Sequence, residues 1–229
     1  MALESEATLI TGCSTGIGRA TAIRLAEAGR TVYATARNIS AIADLADYGC
    51  ELLALDVTDE ESMVAAVDAV VDRHGAVGAL VNNAGYSQSG AIEDLPMESI
   101  RRQFETNVFG LIRMSQLVLP GMREQRAGRI VNIRSMGGKL SFPGGGIYHA
   151  TKYAVEAISD VLRFEVSNFG VKVVLVEPGL IKTNFADAAL SHMDTPSQTD
   201  GAYDDFNAAV AKNTAAVYEN PLYARLGGG

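Results

Sequence analysis

The sequence predicts a doubly wound parallel α/β sheet with helices on both faces, and three observations carry that reading. Short apolar strands alternate with helical stretches from residue 8 to residue 176. The strands are continuous runs rich in Val, Ile and Leu, the look of parallel strands buried on both faces. A glycine-rich turn separates the first strand from the first helix.

The elements follow in order. Residues 8–11 are a β-branched, apolar first strand. Residues 16–28 place Ile17, Ala20, Ile23 and Leu25 at helical spacing, and Gly29 closes that helix. Residues 31–35 form a second strand, and residues 39–48 a short helix closed by Gly49. After a strand at 51–55, Asp59 caps a helix that runs to His74 and stops at Gly75. A fourth strand spans 79–82, and residues 97–125 hold one long helix or two. A fifth strand spans 129–133, a helix spans 147–168 with Gly170 behind it, and a sixth strand spans 171–176 before Pro178-Gly179.

From 184 to 220 the pattern weakens to Ala-rich polar stretches with isolated Phe185, Leu190, Met193, Phe206, Val210 and Val217. This segment is expected to be a mobile, helical substrate loop rather than core. With no linker, low-complexity tract or larger repeat, residues 1–229 are expected to form a single domain.

Composition narrows the function. Hydrophobic residues make up 48% and charged residues 20%, an ordinary balance for a globular protein. The net charge of −8, with no basic stripe, argues against a nucleic-acid partner. Cys13 and Cys50 read as reduced thiols, and His74, His149 and His192 are too scattered for a metal site. No apolar run spans a membrane, and the acidic N-terminus does not read as a signal peptide, so a cytoplasmic protein is expected.

The glycine turn has Gly12, Gly16 and Gly18 ahead of a helix. Glycine lets the backbone approach a pyrophosphate, and the helix N-terminus offers N–H donors. No Gly-Lys-Ser/Thr follows, which excludes a P-loop. At the end of the second strand an acid would hold a ribose 2′-hydroxyl; here Arg37 stands there without a carboxylate, which favours NADP(H).

Tyr148 and Lys152 are four residues apart on a helix, so phenol and ammonium are neighbours. A cation there favours phenolate, as an acid/base near neutrality requires. Ser135, thirteen residues before Tyr148, could hold a substrate carbonyl against the phenol.

These motifs together resemble the short-chain dehydrogenase/reductase family, in its shorter single-domain subgroup with a Rossmann-type sheet. The resemblance covers residues 8 to about 185. Gly12, Ser14, Thr15, Gly16, Ile17 and Gly18 match the family's cofactor loop, and Asp56 with Val57 its adenine-side contact. Asn83, Ala84 and Gly85 belong to the Asn-Asn-Ala-Gly motif that supports the sheet and lines the cofactor. Asn107, Ser135, Tyr148 and Lys152 match the catalytic set, and Pro178, Gly179, Ile181 and Thr183 the segment at the nicotinamide carboxamide.

The resemblance implies hydride transfer between a nicotinamide and a carbonyl/alcohol pair, with Asn107 holding a relay water. It places the substrate among Ser135, Leu140, Phe142, Tyr148 and Phe185, whose apolar members suit a hydrophobic ketone or secondary alcohol. It also implies a homodimer packed through the long helices. An NAD-preferring dehydrogenase and a non-catalytic NADP(H) sensor are the alternatives. Two departures stand out. Arg134 occupies a place where the family usually has a small residue, and the last helix and strand of the family pattern are missing before Gly229.

Overall fold

The computed structural model describes residues 5–179 and 197–219. Six parallel strands form one sheet in the order β3-β2-β1-β4-β5-β6. They are β1 (Thr8–Ile10), β2 (Val32–Ala36), β3 (Glu51–Ala54), β4 (Ala79–Asn82), β5 (Gly128–Ile133) and β6 (Val171–Val176). Strand order reverses between β1 and β4, whose registers pair Thr8 with Ala79 and Ile10 with Val81. That reversal is the switch point at which open α/β sheets bind ligands, beyond the carboxyl ends of the strands.

Alternation of side chains along each strand divides the core into two layers. Leu9, Tyr33, Leu80 and Ile130 pack with Met63, Val67 and Val70 of helix α2 (Glu60–His74) and Met114, Val118 and Met122 of helix α4 (Gly110–Glu124). Ile10, Val32, Ala34 and Val81 point the other way, onto Ala22 of helix α1 (Gly16–Glu27) and onto Ile42 and Leu45 of a 3₁₀ helix at Ile39–Tyr48. The expectation of burial on both faces holds for β1 and β2 but not at the sheet's edges. In β6, Val174 and Val176 are each 39% exposed while Val171 and Val173 are buried, so one face of this strand is open and the other covered.

The predicted caps are where the sequence puts them. The Asp59 side chain accepts from the backbone N–H of Glu61, and Gly75 closes α2 at φ +78. Residues 97–125 resolve into helices α3 (Met97–Phe104) and α4, joined by a π turn at Glu105–Phe109. Helix α5 (Gly146–Val166) gives way to a 3₁₀ turn and then Gly170 at φ +75.

The chain divides into two compact units. The first holds the sheet and residues up to 84, 109–133 and 157–176. The second gathers residues 85–108, 134–156 and the chain from 177 onward, which includes helix α6 (Asp204–Glu219). Within the weak segment of the sequence, residues 197–203 are turns and Asp204–Glu219 is helical.

Candidate active site

In the first unit the glycine turn is locked to the chain that leaves β4. The Asn83 amide donates to the carbonyls of Thr11 and Gly12, both at 2.9 Å. Thr11 Oγ1 accepts the backbone N–H groups of Asn83 (3.0 Å) and Ala84 (2.9 Å). Gly12 and Gly16 turn at φ +74 and +61, where a β-carbon is strained. At Gly18 the constraint is space: a β-carbon would lie 2.3 Å from Asn83 Nδ2 and 2.5 Å from the Gly12 carbonyl.

This geometry suits a nucleotide phosphate. Thr15 is the extended N-cap of α1 and makes no side-chain capping bond, which leaves the first-turn N–H groups without that partner. Ser14, Thr15 and Arg37 are exposed, and Ile17 is half-buried. Asp56 accepts both the backbone N–H and the hydroxyl of Thr58, and Val57 is buried where its carbonyl would sit 2.5 Å from a β-carbon on Gly110.

In the second unit Asn107 sits inside the π turn, a place where such turns recur at functional sites. It is 2% exposed. Its Oδ1 accepts the Tyr86 N–H (3.1 Å), and its amide donates to the Tyr86 carbonyl (2.9 Å) and to Thr151 Oγ1 (3.1 Å). Thr151 in turn donates to the Tyr148 carbonyl at 2.7 Å. Asn107 thus ties the chain after β4 to the helical turn that carries Tyr148 and Lys152. Gly85 permits the approach, since a β-carbon there would lie 3.0 Å from Asn107 Oδ1 and 3.9 Å from Lys152 Nζ.

Lys152 is buried, with its ammonium 5.7 Å from the centre of the Tyr148 ring. Burial first, and then the positive charge of Arg134, pull its pKa down to about 8. Ser135 caps a short turn at Met136–Gly138, its Oγ accepting the Gly137 N–H at 3.1 Å. A β-carbon on Gly137 would lie 3.4 Å from Tyr148 Cε1, so this turn borders the phenol. His149, buried, bonds the Gly137 carbonyl at 2.8 Å and stacks obliquely on Phe142.

Among the expected substrate and nicotinamide contacts, Leu140 and Phe142 are about half exposed. The Pro178 carbonyl accepts the Met136 N–H, and Gly179 is exposed. Ile181, Thr183 and Phe185 lie outside the described residues, as do Leu190 and Met193.

Three features escaped sequence reasoning. One is Thr151, whose hydroxyl bridges Asn107 to the Tyr148 turn. The second is the surroundings of Arg134. Its side chain is 1% exposed and pairs with Glu156 (2.6 Å) and with Glu177. The third is Asp94, which accepts the hydroxyls of Ser197 and Thr199, the Gln198 N–H and the Asn207 amide. Those bonds pin the segment before α6 to the loop at 91–94, and Val210 of α6 lies against Gly144. Among the described residues no cluster of His, Cys, Asp and Glu could hold a metal ion.

Comparison with known proteins agrees with this geometry. The short chain dehydrogenase family matches residues 6–194. A 3-ketodihydrosphingosine reductase of Bacteroides thetaiotaomicron is 40% identical over 189 residues, covering 81% of this chain and 67% of the relative. A short chain dehydrogenase/reductase from Burkholderia phymatum, solved with NAD, superposes with a TM-score of 0.78 at 28% identity, over 93% of this chain and 81% of that one. A short-chain dehydrogenase from Sphingobium yanoikuyae, solved with NADPH, gives 0.74 at 34% identity, over 80% and 74%. With the switch point, the glycine loop and the Asn107–Tyr148–Lys152 arrangement in place, the chain belongs to the short-chain dehydrogenase/reductase family of nicotinamide-dependent oxidoreductases.

Proposed function

We propose that this protein interconverts a hydrophobic ketone and the corresponding secondary alcohol, with NADP(H) as cofactor. One observation carries the reading: a buried lysine, with its pKa pulled down to about 8, stands beside the Tyr148 ring on a turn fastened by Asn107 and Thr151. The bound nicotinamide supplies or accepts the hydride. Everything else falls to this chain's own side chains.

In the reductive direction the Ser135 hydroxyl holds the carbonyl oxygen, and Tyr148 O–H donates its proton to it. Lys152 binds the ribose hydroxyls and favours the phenolate left behind. Asn107, fixed by both of its amide hydrogens, holds the relay water. The glycine loop receives the pyrophosphate, with Ser14, Thr15 and Ile17 around it. Asp56, Val57, Asn83, Ala84 and Gly85 line the nucleotide. Pro178, Gly179, Ile181 and Thr183 meet the carboxamide.

Arg37 favours NADP(H), because it is exposed at the end of β2 with no acid at the ribose position. Leu140, Phe142 and Phe185 supply apolar walls, and the Bacteroides relative is by its name a reductase of a keto compound, 3-ketodihydrosphingosine. The sensor alternative would gain if Arg134 blocked the substrate space; its pairing with Glu156 and Glu177 speaks against that. Tyr153, Val161 and Phe164 on α5 are 45%, 57% and 80% exposed, an apolar face suited to a homodimer. The protein is read as cytoplasmic, on a small-molecule substrate and without a nucleic-acid or membrane partner; no described helix is long and apolar enough to cross a membrane.

The test is NADPH and NADH consumption over a panel of ketones of rising chain length, with Tyr148→Phe beside the wild type. The variant is expected to bind NADPH normally and to lose about 10²–10⁴-fold in turnover. Retained turnover in the variant, or equal kcat/KM with the two cofactors in the wild type, counts against the corresponding part of the reading.

A further inference from the structure

Arg134 is an expensive residue to keep where it is. A guanidinium with 1% side-chain exposure needs compensating charge, and two carboxylates provide it. Its Nε meets Glu156 Oε2 at 2.6 Å and also points to the Lys152 carbonyl at 3.4 Å. Its Nη1 pairs with Glu177 Oε1, and Lys139 Nζ holds the second oxygen of Glu177 at 2.7 Å. Room for the guanidinium comes from Gly138, where a β-carbon would lie 2.3 Å from Arg134 Nε.

The sequence spacing of these groups gives the arrangement its meaning. Glu156 follows Lys152 by four residues on α5, so the two lie on the same helical face, where a lysine and a glutamate ordinarily pair. An ammonium drawn to Glu156 would be drawn away from Tyr148 by one helical turn. Arg134 holds that carboxylate and bonds the backbone of Lys152 itself.

We propose that Arg134 is a positioning residue for the Tyr148–Lys152 pair, occupying the carboxylate that would otherwise compete for Lys152 and setting a fixed positive charge behind the ammonium. The inference rests on the acid/base reading of that pair given above. Tyr148 and Arg134 face Lys152, His149 and Glu156 share its helix, and Glu177 and Lys139 continue the chain of charges from Arg134. Arg134 is the one of them whose charge lowers the Lys152 pKa, after burial.

The experiment titrates Tyr148 directly. Tyrosinate absorbance is followed against pH, each protein being subtracted from its own Tyr148→Phe counterpart, without cofactor and without turnover. Arg134→Met is expected to raise the midpoint by about one pH unit, because a cation is lost and Glu156 is left without its counter-charge. Arg134→Lys is expected to return it to within a few tenths of the wild type. Glu177→Gln is expected to move it the other way, downward, because the guanidinium then loses a counter-charge.

Opposite shifts from Arg134→Met and Glu177→Gln support the inference, since general loosening of the site would move both alike. A folded Arg134→Met protein with an unmoved midpoint, or two shifts in the same direction, overturns it. If Arg134→Met does not fold, Arg134→Met with Glu156→Gln is compared with Glu156→Gln alone, and the same upward shift is required. Loss of turnover in Tyr148→Phe tests the parent reading separately, and this titration reports on Arg134 whichever way that result falls.

Discussion

The two units hold their functional groups by opposite means. In the first, the glycine turn is placed by what it lacks: Gly18 has no β-carbon, so Asn83 can reach the Gly12 carbonyl. In the second, Lys152 is placed by what it must tolerate, a charge taken out of water beside a second cation. Close backbone packing is favourable to the fold and to binding together. A buried ammonium is a burden to the fold, set against the chemistry proposed for it. The contrast predicts that damage to the first region lowers stability and binding together, whereas damage to the second exchanges activity for stability.

The largest expected effect breaks the first region. Gly18→Ala adds a carbon 2.5 Å from a backbone oxygen, so the loop itself must shift. Helix propensity would favour alanine by about 1 kcal/mol, whereas overpacking costs about 1–3 kcal/mol. Net destabilisation is expected to be small beside the effect on binding, and nicotinamide affinity should fall about 10–100-fold in a fluorescence titration. Gly29→Ala is the contrasting control: unlike Gly18 it has a positive φ, of +75, and nothing lies within 4 Å of its β-carbon. It should lower the melting temperature and leave affinity alone. If both variants bind cofactor equally, the glycine turn is not placed by close packing.

The second expected effect has the opposite sign. Lys152→Met should abolish turnover yet melt at a higher temperature than the wild type at neutral pH. The folded pKa of about 8 lies below the ordinary lysine value of about 10.4. Below pH 8 the lysine is charged in both states, and the folded state carries the full penalty. Between about pH 8 and 10 the unfolded state binds more protons, so wild-type stability rises with pH. The methionine advantage, on the order of 3 kcal/mol at pH 7, should therefore fade as pH climbs through that window. Thermal melts at pH 7 and pH 10 check it, and an advantage that does not change with pH would sever it from the lysine charge.

The same contrast explains what was legible in the sequence. The sheet was, because its signals are local: each strand is a short apolar run, and Gly29, Gly49, Gly75 and Gly170 end the helical stretches where they stand. Tyr148 and Lys152 were legible because helix geometry alone makes them neighbours. The break between α3 and α4 was not, because the π turn is held by Asn107 reaching back 21 residues to Tyr86 and forward 44 to Thr151. Arg134 could be seen as a departure but not oriented, because Glu177 lies 43 residues away. Periodicity carries no information about such partners. The alanines of residues 184–220 suggest a helix, yet nothing local marks Asp94 as the anchor of residues 197–207.

That anchor gives the smallest effect and sharpens the comparison within the second unit, since it secures the segment expected to shape the substrate site rather than the reacting groups. Four donors converge on the Asp94 carboxylate, Ser197 first among them, and together they hold its pKa below the usual range. A carboxyl with a depressed folded pKa contributes stability above its unfolded pKa of about 3.9 and loses it as pH falls through the folded value. The anchor is thus fully charged at neutral pH and weakens only in strong acid. Asp94→Asn keeps the shape but replaces one acceptor oxygen with a donor, which repels the Asn207 amide or the Gln198 N–H. Proteolysis within 197–207 should quicken several-fold and KM for a long-chain ketone should rise, with kcat and nicotinamide affinity near wild type. A fall in kcat with KM unchanged would instead connect Asp94 to the Tyr148 turn, and the division between the parts that shape the site and the parts that react would have to be redrawn.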